Sequence, residues 1–103
     1  MRPKSPYVEE VYQRNARIYK LLASAKRLEI LNTIRRREAT VSQLAEGLSM
    51  RKANVSQHLA VLRHAGLVRT RREGQNIYYV IADSRLIEPC AILKRLHEQG
   101  RIR

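Results

Sequence analysis

Two short segments in the middle of the chain repeat their apolar residues at helical spacing. They span about 42–47 and 51–65, and a glycine ends each of them, Gly47 and Gly66. Because only residues 48–50 separate the two segments, the chain must turn sharply between them. This arrangement predicts a helix-turn-helix, a motif whose second helix presents its N-terminal half to a partner.

Hydroxyl side chains lie where three of the predicted helices should begin. Ser24 is the expected N-cap of a helix over about 25–37, and Ser42 and Ser49 are the expected N-caps of the two short helices. Thr40 begins a short extended stretch before Ser42. The side chains predicted to face inward on these three helices are Leu28, Leu31, Ile34, Leu44, Ala45, Val55, Leu59 and Leu62.

The rest of the chain supplies a helix at each end and a hairpin. The segments are a helix over about 8–23, β-prone segments over 68–73 and 76–81, and a helix over about 85–98 with Asp83 or Ser84 as its cap. The predicted fold is mainly α with a small β-hairpin (α+β): a winged helix-turn-helix of about five helices plus a wing. Residues 1–7 are expected to form a flexible arm, 8–98 one DNA-binding and dimerisation domain, and 99–103 a basic tail.

A net charge of +12 on 103 residues favours a polyanionic partner, nucleic acid first and an anionic membrane surface second. The N-terminus lacks the apolar run of a signal peptide, and one cysteine, Cys90, cannot form an internal disulfide, so we expect a cytoplasmic protein. The basic residues are split between a helix and a hairpin, which disfavours a membrane role. The sequence contains no phosphate loop, carboxylate pair or nucleophile–base spacing, so we expect neither an enzyme nor a cofactor.

The second helix of the predicted motif has a small, polar outer face. If Val55, Leu59 and Leu62 face the core, Gln57 faces outward with Asn54 and Ser56 on its flanks. Asn and Gln side chains can pair with adenine, and Ser can contact several bases. These residues could equally be ordinary solvated side chains. The surrounding charge favours a function, because residues 47–72 contain six Arg or Lys and no acid.

The hairpin would present a basic tip beside this helix, suited to phosphates or to the minor groove. The alternative is an edge strand that its charges protect from aggregation. Counting both surfaces, the residues predicted to contact DNA are Arg51, Lys52, Asn54, Ser56, Gln57, His58, Arg63, Arg69, Arg71, Arg72 and Gln75.

Four stretches together resemble the ArsR/SmtB family of winged-helix repressors. They are Asn54–Val68, which reads NVSQHLAVLRHAGLV, then Arg71-Arg72-Glu73-Gly74 with Tyr78-Tyr79, and Leu22–Leu31, which reads LASAKRLEIL. The resemblance covers roughly residues 15–83. It implies a homodimer that binds an operator on double-stranded DNA and releases it on sensing an inducer.

The two terminal helices carry apolar stripes that one small core does not need. Pairing them across a two-fold axis would bury both stripes, and in the family these helices form the dimer interface. The predicted interface residues are Val11, Tyr12, Ile18, Tyr19, Leu22, Leu86, Cys90, Leu93 and His97, with Ile87 and Leu96 beside the stripe of the last helix.

The family's metal sites are incomplete in this sequence, so no metal is expected. The third helix has no thiol, and of the last-helix motif only His97-Glu98 matches. Other relatives use a cysteine on the second helix and one on the last as a sulfur-redox switch. Cys90 lies near the second of these positions, but Asn32 occupies the first. A thiol or redox sensor at Cys90 therefore stays open beside a simple interface cysteine.

The function that the sequence favours is a sequence-specific transcription repressor that binds its operator as a homodimer. The alternative is a nonspecific, architectural nucleic-acid-binding protein. Both would bind DNA with a steep dependence on salt, and they differ in the ratio of specific to nonspecific affinity.

Overall fold

The computed structural model describes residues 2–103; Met1, part of the predicted flexible arm, lies outside the described residues. The elements in chain order are α1 (Glu9–Leu22), α2 (Ala25–Arg36), α3 (Val41–Gly47), α4 (Lys52–His64), β1 (Val68–Glu73), β2 (Asn76–Ile81), a 3₁₀ turn (Ser84–Ile87) and α5 (Glu88–Glu98). The predicted fold of five helices and one hairpin is confirmed.

One apolar core holds α2, α3 and α4 together and extends to the base of the hairpin. Among the described residues every buried side chain is apolar. The core members are Ile30, Leu31, Ile34, Ala39, Leu44, Ala45, Val55, Leu59, Leu62, Leu67, Val68 and Ile87. All the inward residues predicted for the three helices belong to this set except Leu28, which is half-buried. Burial of these side chains removes apolar surface from water, which is the main force that fixes α4 in place.

The helix starts confirm one predicted cap and correct two. Ser24 caps α2 as predicted, since its hydroxyl accepts from the backbone N–H of Arg27 at 3.3 Å. Ser42 does not cap α3: Thr40 does, in a reciprocal capping box with Gln43 whose two hydrogen bonds are 3.1 and 3.0 Å long. Thr40 is favoured because its position places a glutamine at the third residue of the helix.

Ser49 does not cap α4 either. It takes a left-handed backbone conformation, φ 53°, and the N–H of the next residue, Met50, donates to the carbonyl of Ala45 at 2.9 Å. These residues close the end of α3, so α4 begins two residues later than a Ser49 cap would require, with Arg51 at its N-cap position. The turn thus depends on Ser49 for its left-handed residue.

The hairpin pairs β1 with β2 from Val68↔Ile81 to Glu73↔Asn76, around a two-residue turn in which Gly74 has φ 62°. The short extended stretch predicted to begin at Thr40 is not a strand, since Thr40 is the N-cap of α3. One residue earlier, Ala39 and Tyr79 form a single bridge pair and exchange backbone hydrogen bonds of 3.3 and 2.8 Å. This bridge attaches the hairpin to the α2–α3 loop.

The start of the last helix differs from the prediction. Asp83 caps the 3₁₀ turn, its Oδ1 accepting from the backbone N–H of Arg85 at 2.9 Å, and α5 begins at Glu88. Hydrogen bonds from Arg85 lower the pKa of Asp83 to about 2. Ile87 was predicted to lie beside the interface stripe, but the tighter 3₁₀ geometry turns it into the core, where it is 1% exposed.

Neither α1 nor α5 contains a buried residue, although both are strongly amphipathic. Within the part of the chain that the structure describes, no helix is long and apolar enough to cross a bilayer.

Candidate nucleic-acid interface

The second helix of the motif, α4, presents its polar face to solvent. Val55, Leu59 and Leu62 are 0% exposed and anchor the helix in the core. Because a helix repeats every 3.6 residues, this leaves Asn54, Ser56 and Gln57 exposed, all in the N-terminal half. The structure therefore groups the three predicted base-reading side chains on one accessible surface.

Cations surround this surface. Arg51 and Lys52 lie exposed at the start of α4, and Arg63 lies exposed near its end. Across residues 2–103, none of these three side chains forms an ion pair. Their charges are thus free to act on a polyanion.

His58, another predicted contact residue, lies differently from its neighbours. It is half-buried on the side of α4 that faces α2, and its Nδ1 accepts a hydrogen bond from Nε of Arg27 at 3.1 Å. Partial burial and the charge of Arg27 lower the pKa of His58 below its ordinary value of 6.5. His58 is therefore neutral at neutral pH and already engaged within the protein.

The wing places three of its four predicted contact residues in solvent without an ion pair. Arg69, Arg72 and Gln75 are exposed, and Nε of Arg72 donates to the carbonyl of Gly74 at 3.2 Å across the turn. Arg69 and Arg72 have no carboxylate partner within the described range. The hairpin therefore carries two available cations, Arg72 beside the turn and Arg69 near the base.

The fourth, Arg71, is held by neighbours. Its guanidinium makes a two-point contact with Glu38 of the α2–α3 loop, donates to Oε2 of Glu73 at 3.0 Å, and lies 4.8 Å from the ring centroid of Tyr78. The hydrogen bond from Arg71 lowers the pKa of Glu38. Arg71 thus clamps the wing to the loop, a role that the sequence analysis missed because Glu38 lies 33 residues away.

The predicted interface residues lie along α1, in the 3₁₀ turn and along the whole of α5. Tyr19 is 69% exposed, Leu93 47% and Tyr12 42%, which is high for large apolar side chains. His97 is exposed, and the remaining members are half-buried: Val11, Ile18, Leu22, Leu86 and Cys90. A cleft of about 270 Å³ opens between the two helices, lined by Tyr19, Leu22, Ala23, Leu28, Leu86, Ile87, Pro89, Cys90 and Leu93.

Cys90 of α5 contacts Asn32 of α2, the position with which it was compared above. Nδ2 of Asn32 lies 3.5 Å from the Cys90 sulfur, so α2 and α5 do bring the two positions together, with a single thiol between them. Nowhere in residues 2–103 do three His, Cys, Asp or Glu side chains of the monomer converge as metal ligands.

A helix-turn-helix anchored in the core, together with a basic two-stranded wing, defines the winged-helix class of DNA-binding proteins. The family model described as "Bacterial regulatory protein, arsR family" matches residues 24–70, from the cap of α2 into the wing. The chain belongs to the ArsR family of transcriptional regulators, and it is not an enzyme.

Individual relatives agree with this assignment. The chain is 47% identical over 62 residues to the HTH-type transcriptional regulator KmtR of Mycobacterium tuberculosis, a match that covers 60% of this chain and 48% of KmtR. It is 35% identical over 83 residues to the transcriptional activator HlyU of Vibrio cholerae, covering 81% of this chain and 77% of HlyU.

The fold is also similar to solved structures of the family. The homodimeric winged helix-turn-helix domain of Mb0332 from Mycobacterium bovis, described as a possible ArsR-family regulator, superposes with a TM-score of 0.75 at 30% identity. The superposition covers 96% of this chain and 92% of that domain.

Proposed function

We propose that the chain is a transcription repressor that binds a specific operator as a homodimer. The observation that carries this proposal is the face of Asn54, Ser56 and Gln57, exposed on a core-anchored helix in a segment, residues 47–72, that contains no acid. Small polar side chains permit close approach to the base edges of the major groove. A cytoplasmic location is part of the proposal, since the operator lies on the chromosome.

Two copies would read two half-sites. Pairing of α1 and α5 across a two-fold axis buries the exposed tyrosines and leucines of both subunits. Each α4 then enters the major groove in successive turns, about 34 Å apart, while the wings contact the flanking phosphates. The homodimer described for Mb0332, which shares this fold, supports such an assembly.

Repression would follow from occupancy of the operator by the dimer. A dimer seated on an operator within a promoter excludes polymerase from the same DNA by volume alone, without any further contact. Because HlyU is named an activator, the sign of regulation needs its own measurement. Transcription in vitro from a promoter that contains the selected site should fall as protein is added; a rise would show activation instead.

Selection of bound sequences from a random DNA pool tests the whole proposal. The expected result is a two-fold symmetric site bound roughly a thousandfold or more tightly than random DNA at equal salt. A pool that converges on no sequence, with tight binding that merely falls with salt, would instead identify the architectural nucleic-acid binder.

The wing offers a test of which arginine contacts DNA. We expect Arg69→Ala to reduce the slope of log affinity against log salt by about one unit, because one phosphate contact is lost. Arg71→Ala should weaken binding at every salt concentration with little change in slope, because Arg71 is already paired with Glu38 and Glu73. Titrations at several salt concentrations distinguish the roles, and a slope reduced by one unit in Arg71→Ala would make it the phosphate contact.

For Cys90 we favour an interface role over a sensing role, and Cys90→Ser should separate the two. The variant is expected to keep operator affinity and the response to inducer, and to lose some stability, because a half-buried thiol is replaced by a more polar hydroxyl. Asn32→Cys is the positive control, since it places a second thiol against the first. Operator release by a thiol oxidant or polysulfide that disappears in Cys90→Ser would assign the sensor to Cys90.

A further inference from the structure

Arg27 lies where three helices meet. It starts from the first turn of α2, its Nη1 donates to the carbonyl of Leu21 in the last turn of α1 at 3.2 Å, and its Nε donates to Nδ1 of His58 in α4 at 3.1 Å. One half-buried guanidinium therefore joins the predicted dimerisation helix to the recognition helix.

The bond to His58 requires one protonation state. An arginine can only donate, so Nδ1 of His58 must accept, and the single ring proton of the neutral imidazole must reside on Nε2. A protonated imidazolium donates from both nitrogens, so the hydrogen bond would be lost and two cations would face each other. The bond thus exists only while His58 is neutral.

Nothing nearby favours the charged form of His58. From α2 it faces Arg27, while the next cation, Lys26, is paired with Glu29 at 3.6 Å. On α1, the group that Arg27 contacts is the backbone carbonyl of Leu21, which carries no charge. Along α4 the charged side chains are cations, and no carboxylate of residues 2–103 lies within 4.0 Å of the ring.

We propose that Arg27 is a positioning residue that sets the recognition helix α4 through His58, and that protonation of His58 releases this tie and weakens specific DNA binding. The inference rests on the proposed function, since it concerns how the same helix is held against the operator. The pKa of His58 is lowered from 6.5, so the folded protein loses stability as pH falls from about that value towards the lower pKa of the folded state.

The sign of the pH effect separates this role from a direct contact. If His58 met a phosphate as a cation, acidification would strengthen DNA binding. If His58 holds α4 through Arg27, acidification weakens it. Gln keeps an acceptor for Arg27 without titrating, whereas Leu removes the acceptor at similar volume.

The test measures affinity for the selected operator from about pH 7.5 to about pH 5.5, a range that brackets the ordinary histidine pKa. We expect His58→Leu to bind about tenfold more weakly at the higher pH, the scale of a lost charge-assisted hydrogen bond. His58→Gln should bind like wild type there and should lack the loss of affinity that wild type shows on acidification. His64→Gln, on the exposed face of α4, is the matched control and should keep the wild-type pH dependence.

Two measurements without DNA distinguish a failure of this inference from a failure of the proposed function. Nitrogen NMR should find His58 as the Nε2–H tautomer, a preference that Arg27→Gln weakens by removing the guanidinium. In thermal unfolding, acidification should lower the melting temperature of wild type more than that of His58→Gln. The inference would be overturned if His58→Leu bound the operator as tightly as wild type. It would also be overturned if acid strengthened operator binding by wild type and had no such effect on His58→Gln. If no variant preferred the operator to random DNA, the proposed function alone would be overturned.

Discussion

Replacing Leu93 with glutamate is expected to convert the protein to a monomer and to weaken operator binding by about hundredfold or more. Leu93 is 47% exposed in one subunit, so the substitution leaves the monomer fold intact. In the dimer the new carboxylate would be buried without a partner, which costs about 3 kcal/mol or more. A monomer can bind only one half-site, so it loses the increase in affinity of about hundredfold or more that two linked binding sites provide.

Sedimentation at micromolar concentration measures the first effect, where wild type should have about twice the mass of one 12.0 kDa chain. Ala91→Glu is the matched control, because it adds the same charge on the opposite face of α5, beside Arg35 and Arg95. The control should remain dimeric. A wild-type protein that sediments as a monomer, or a dimeric Leu93→Glu, would contradict the proposed interface.

Replacing Gln57 with alanine is expected to reduce affinity for the best operator by about tenfold to hundredfold and to relax the preference at one base pair. A paired amide contact to adenine accounts for about 1–3 kcal/mol of discrimination. Binding to random DNA should hardly change, because that binding depends on phosphate contacts. The side chain is exposed and makes no hydrogen bond to another described residue, so stability should not fall.

His64→Ala controls for position on the helix, since His64 is exposed on the same outer face at the C-terminal end of α4. It should leave the preferred sequence unchanged. Competition between the selected operator and random DNA gives the specificity ratio for each variant. An equal loss on both DNAs in Gln57→Ala would show that Gln57 positions the helix and does not read a base.

The exposed polar face of α4, formed by Asn54, Ser56 and Gln57, was predictable from the sequence because its cause is local. The apolar spacing of Val55, Leu59 and Leu62 fixes which side of α4 is buried, and the 3.6-residue repeat then assigns the opposite side to solvent. The hairpin was predictable for the same reason: a glycine turn between two β-prone segments sets its register.

Two helix starts, those of α3 and α4, were less predictable, because neither Ser42 nor Ser49 takes the N-cap position that the sequence pattern suggested. Thr40 caps α3 instead of Ser42 because Gln43 completes a capping box with it, and Ser49 lies in the turn that closes α3. Each choice depends on the backbone path between helices, which the sequence pattern leaves open within a few residues.

The contacts that hold α4 and the wing in place were decided only by the tertiary structure. Arg27 and His58 are 31 residues apart, and Arg71 and Glu38 are 33 apart, so no periodicity relates them. In an unfolded chain these side chains meet rarely; burial of the shared core brings α2, α4 and the wing to fixed positions, and only then can one guanidinium reach its partner. By itself the sequence determined which face of α4 is exposed and polar, and packing determined the contacts that hold this helix in its orientation.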